Sequence, residues 1–75
     1  MTTTNSNQTH EQVTLTNAIV QLSGQDGNAF LILGRVRRAI VKSNHPELAQ
    51  LFMDEATAGD YDHLLHTCIR YVTVE

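Results

Sequence analysis

A single cysteine, Cys68, is all the chain has for cross-linking. It closes no internal disulfide, and no Cys/His spacing supplies a zinc site in its place. Both staples of small secreted domains are therefore missing, and a reducing cytoplasm is the expected compartment. Long apolar runs are missing too: none nears the roughly 18 residues a membrane span needs, so no membrane partner is expected. The opening MTTTNSNQTHEQ has neither the positive nor the apolar region of a signal peptide, which leaves the sequon Asn7-Gln8-Thr9 without a secretory context. Cations are scarce. Five Lys and Arg against eight Asp and Glu give a net charge of −3, which argues against gripping nucleic acid as the main task but leaves room for a local basic patch.

What is present amounts to one small domain. A chain of 75 residues buries only about 60% of the surface its unfolded form exposes, so its margin of stability is thin. Residues 1–11 are almost all polar and are expected to be a disordered tail, because they cannot offset the entropy cost of ordering. The globular part is placed at 12–75. VTLTNAIVQL, residues 13–22, is rich in β-branched residues with partial period-two alternation and reads as one strand, strongest over Ile19 to Leu22.

Gly24 and Gly27 then punctuate a turn, and Asn28 is placed to cap a helix over AFLILGRVRRAIVKSN, ending near Asn44. Pro46 disfavours helix at His45 and suits the first turn of a second helix, 46–58, with Gly59 as a left-handed stop. Asp60 caps a third helix in which Tyr61, Leu64, Leu65, Cys68, Ile69 and Val72 follow helical spacing. Its end, YVTVE, either continues the helix or leaves it as a short strand paired with the first. The fold class is therefore α+β and mainly helical: an N-terminal strand, then three helices, with a C-terminal strand as the open alternative.

Two charges fall where apolar residues belong. On a helical wheel Ala29, Ile32, Leu33, Val36 and Ile40 make a stripe widened by Phe30, Ala39 and Val41, and Arg37 lands within it or at its rim. Glu55 falls in the middle of the face made by Leu48, Leu51 and Phe52. An isolated buried charge is costly, so either Arg37 and Glu55 form a structural ion pair across a helix hairpin or each snorkels to the surface. Gly34, inside the first helix, suggests close approach by another element.

Four of the five basic residues, Arg35, Arg37, Arg38 and Lys42, cluster in that helix, and Arg35, Arg38 and Lys42 share a solvent stripe. They are the candidate contacts for nucleic acid or a small anion. The competing account is that they complement the helix dipole and keep an apolar helix soluble.

GQDGNA lacks the spacing and GK[ST] ending of a phosphate loop, and Phe30 and Leu31 stand where a calcium loop needs oxygen ligands and glycine. A turn with a cap is its expected role. Asp60, Asp62, His63 and His66 are spaced for an open surface site at best, so neither a metal nor a cofactor is expected. Cys68 lies on the core stripe and is expected to be an inert thiol. No catalytic residue emerges; a small hydrolase-like or metal-dependent enzyme would have to use Glu55, Asp60 or His63.

The segments LSGQDGNAF and EATAGDYDHLL, with the closing YVTVE, resemble those of a family of small bacterial and phage proteins, over about residues 22–75. The resemblance implies one compact domain and brings no activity and no functional residues. The expectation is a non-enzymatic module acting through a protein partner or self-association, with nucleic-acid or anion binding by the first helix as the alternative.

Overall fold

The computed structural model describes residues 13–24 and 27–75. The polar tail, the Asn7 sequon, His10 and Asp26 lie outside the described residues. In chain order the elements are β1 (Ile19–Val20), α1 (Ala29–Val41), a 3₁₀ turn (Pro46–Leu48), α2 (Ala49–Ala56), α3 (Tyr61–Tyr71) and β2 (Thr73–Val74). The strands pair in parallel, Ile19 opposite Thr73 and Val20 opposite Val74. Parallel neighbours need a long crossover, and the three helices supply it.

Both expected caps are made. Asn28 is extended, and its side-chain oxygen accepts from Phe30 N at 2.8 Å; Asp60 does the same for His63 N at 2.9 Å. The helix ends differ from the sequence reading. α1 stops at Val41 rather than near Asn44, because the Ser43 hydroxyl and amide both donate to Ile40 O, at 2.7 and 3.0 Å. Asn44 then turns away to meet Asn17. Each amide donates to the other's side-chain oxygen, Asn17 N to Asn44 at 2.9 Å and Asn44 N to Asn17 at 3.1 Å.

The second helix is divided. Leu48 N donates to His45 O at 3.0 Å, so the turn after Pro46 is tightened to 3₁₀ and regular α-helix starts only at Ala49. α2 ends at Ala56, where the Thr57 hydroxyl donates back to Met53 O at 2.7 Å. Gly59 is not left-handed; among the described residues only Gly24, at φ 76°, is. Glycine is required at 59 because a Cβ there would lie 2.8 Å from His63 Cβ and Cγ.

The core gathers Val36 and Ile40 of α1, Phe52 of α2, and Leu64, Cys68 and Tyr71 of α3, roofed by Val20 and Val72. Phe52 and Tyr71 meet edge to face, ring centres 5.4 Å apart. Side chains of this size each contribute roughly 1.5–3 kcal/mol on burial. The inward face of α3 is rotated from the expected stripe: Tyr61 and Ile69 are exposed, while Thr67 and Tyr71 turn in. Thr67 is tolerated because its hydroxyl donates to His63 O at 2.8 Å.

The expected strand over 13–22 forms a two-residue ladder with irregular flanks. Leu15 N and Thr16 N donate to Arg70 O and Tyr71 O, each at 3.0 Å, and the Thr16 hydroxyl adds a 2.7 Å bond to Tyr71 O. The entering chain thus satisfies carbonyls that the end of α3 would otherwise leave unpaired. YVTVE divides as the open alternative allowed, with Tyr71 closing α3 and Thr73–Val74 forming the strand.

Candidate functional site

The 17–19 segment packs beside α1 on the face where helical periodicity collects Arg35, Arg38 and Lys42. Between them lies a groove of about 440 Å³, lined by Asn17, Ile19, Ser43 and the three cations, with Ala18 and Ala39 also at its surface. All three cationic residues are exposed. The reciprocal Asn17–Asn44 bonds hold one end of the groove by tying the strand lead to the turn after α1. The candidate anion contacts therefore share one cavity, and Asn17 and Ile19, which nothing in the sequence marked as site residues, form its opposite wall.

Arg37 and Glu55 do not pair. Arg37 is exposed, and the ion pair of Glu55 is with Arg70, Nη2 to Oε1 at 3.1 Å. The expected apolar stripe of α1 is too broad: its buried residues are Ile32, Leu33, Val36 and Ile40, while Phe30 is 83% and Val41 45% exposed. Arg37 shares their exposed side of the helix. Glu55 sits at the edge of α2, whose inward face is Ala49, Phe52 and Ala56, and from there it meets the last turn of α3. The contact is an ion pair rather than a well-aligned hydrogen bond. Tyr71 is buried beside it. Burial first, and the Glu55 charge second, push its phenol above the ordinary range, with Arg70 opposing. The Arg70 guanidinium also stands 5.8 Å from the Tyr71 ring centre.

The three residues named above for an enzyme, Glu55, Asp60 and His63, each make a structural contact. Glu55 is held by Arg70, Asp60 caps α3, and His63 Nε2 donates to Glu55 O, the exposed end of α2, at 2.7 Å. That bond fixes the proton on Nε2. Asp62 and His66 are exposed, and among the described residues no group of three His, Cys, Asp or Glu is arranged to hold a metal. Cys68 is buried, and burial raises its thiol to about 11, so it stays protonated at neutral pH.

Gly34 corrects another expectation. It is exposed, and a Cβ built on it meets nothing within 4 Å, so among the described residues no element approaches it closely. At the other end of α1, the Tyr61 hydroxyl donates to Gly27 O at 2.7 Å and fastens the glycine loop to α3. An apolar hollow of about 260 Å³ lies there, among Phe30, Leu33, Tyr61 and Leu64. Among the described residues no helix is long and apolar enough to cross a membrane. Comparison with protein families, curated proteins and solved structures finds no match to the chain.

Proposed function

We propose that the chain is a non-enzymatic binding module working through protein contacts, in a reducing compartment such as the cytoplasm, and that the groove between α1 and the 17–19 segment is its contact face. The observation that carries this reading is convergence: three of the five Lys and Arg residues of a chain with net charge −3 line one groove. Cations gathered against the overall charge favour an acidic partner surface and speed encounter with it. No cofactor is invoked. The likeness to small bacterial and phage proteins belongs to the same proposal and adds no activity to it.

The test is retention of native-lysate proteins on the immobilised chain. The wild type should hold a protein partner that about 0.5 M salt releases, and the R35Q/R38Q/K42Q variant should not. Equal retention by both would move the contact face away from the groove.

A second reading, binding of nucleic acid or a small anion by Arg35, Arg38 and Lys42, draws support from Phe30. That ring is exposed and shares a shallow hollow with Arg35 and Arg38, where a base could stack. It requires salt-sensitive binding of a single-stranded oligonucleotide that falls in both the triple-Gln variant and Phe30→Ala.

A further inference from the structure

Among the described residues β1 is paired along one edge only. A strand in a parallel ladder turns alternate residues to its neighbour. Here Ala18, Val20 and Leu22 face β2: Thr73 N donates to Ala18 O at 2.9 Å, Glu75 N to Val20 O at 2.8 Å, and Leu22 N to Glu75 O at 2.7 Å. The N–H and C=O of Ile19 and Gln21 are thereby directed to the opposite edge, where among the described residues no backbone hydrogen bond takes them up. Ile19 borders the groove, and its side chain is 64% exposed. An open edge of this kind is a template for another extended chain.

The charge beside the edge selects the occupant. From Arg35 to Lys42 the helix rises roughly 10 Å. Side chains on one face of a strand recur about every 7 Å, so two alternate carboxylates of an extended peptide fit within the cationic span. A nucleic-acid duplex would bring about six phosphate charges over the same length, twice what the three cations can meet. Among the described residues no aromatic side chain lines the groove itself, Phe30 lying in the neighbouring hollow, and the rest of the chain is net acidic.

Resting on the binding-module reading above, we infer that β1 takes up an extended acidic segment of a partner protein as an added strand. Its main chain pairs with Ile19 and Gln21, and its carboxylates face Arg35, Arg38 and Lys42.

The experiment follows backbone amides of the labelled full chain by NMR during titration with a synthetic peptide of alternating Glu and Val. A peptide of alternating Lys and Val and a short oligothymidylate serve as controls. The expected result is binding of the acidic peptide alone, slowed exchange of the Ile19 and Gln21 amides, and affinity at least roughly tenfold weaker in R35Q/R38Q/K42Q. Ile19→Pro removes one outward N–H without touching the ladder and should weaken binding; should it unfold, Gln21→Pro asks the same question one outward position along.

Acidic-peptide binding without protection of Ile19 and Gln21 would overturn strand addition while leaving the groove as a contact face. Binding of the oligonucleotide in place of the peptide would overturn it in favour of the second reading. No binding of either probe would also overturn it, and the lysate experiment would then judge the module reading alone. Protection of the same amides through concentration-dependent self-association, without peptide, would make a second copy the occupant and overturn the inference as well.

Discussion

Gly34 and Gly59 share a residue type and serve opposite ends. Gly34 is in mid-helix with open space where a side chain would go. Gly34→Ala should therefore stabilise the fold by about 0.5–1 kcal/mol through helix propensity and unfolded-state entropy, seen as a higher urea midpoint at unchanged slope. Gly59→Ala must displace the His63 ring and its bond to Glu55 O, and a loss of roughly 1–3 kcal/mol is expected in the same assay. The sequence marks both positions but not which is which, since the difference lies in a neighbour that only the folded chain supplies. The arginines teach the same lesson. Arg37 looked buried because Phe30 and Val41 were counted as core, whereas α1 buries a narrower arc. The true partner of Glu55, Arg70, lies on a different helix. Alkaline pH gives a further residue-scale outcome. Folding raises the Cys68 thiol from 9.0 to about 11 and raises the Tyr71 phenol. As pH climbs above about 9, the unfolded chain therefore loses its thiol proton while the folded chain keeps it. Stability contributed by the protonated thiol is full below that pH and declines towards about 11. Urea midpoints across this range should fall, and Cys68→Ala should make the fall shallower.

The starts of α1 and α3 were legible in the sequence; the true α-helical start of α2, at Ala49, and the ends of α1 and α2 were not. A cap is a local device: Asn28 and Asp60 each bind an amide two or three residues on. An end is often settled from a distance. α1 gives up its last expected turn to Ser43 and to the exchange between Asn17 and Asn44, partners 27 positions apart. That exchange predicts a coupling. Asn17→Ala and Asn44→Ala should each cost about 1 kcal/mol, and the double variant should cost clearly less than their sum, as a double-mutant cycle would measure. Additive losses would mean that the two residues act separately. Within α3, Tyr71 was read only as part of an ambiguous C-terminal segment, although its ring is the largest fully buried side chain. Inside the fold the Tyr71 ring packs edge to face against Phe52.

For the molecule as a whole, the sequence disclosed half of the groove. Three cations on one stripe of a helix can be read from spacing alone, but Asn17 and Ile19 form the facing wall only because the strand lead packs beside α1. Besides the Asn17–Asn44 exchange, that placement depends on β2 and on the flanking bonds of Leu15, Thr16, Leu22 and Ser23, all made to the segment from Arg70 to Glu75. Removing Thr73 to Glu75 should accordingly cost more than three exposed residues would: β1 loses its ladder, the groove loses a wall, and thermal unfolding followed by circular dichroism should become broad and shallow. Pairing across almost the whole described chain also has a bearing on biosynthesis. Ile19 is translated long before Thr73, so during synthesis the early strand waits without the neighbour that completes its ladder, and a nascent chain can complete its fold only once residues 73–75 have left the ribosome.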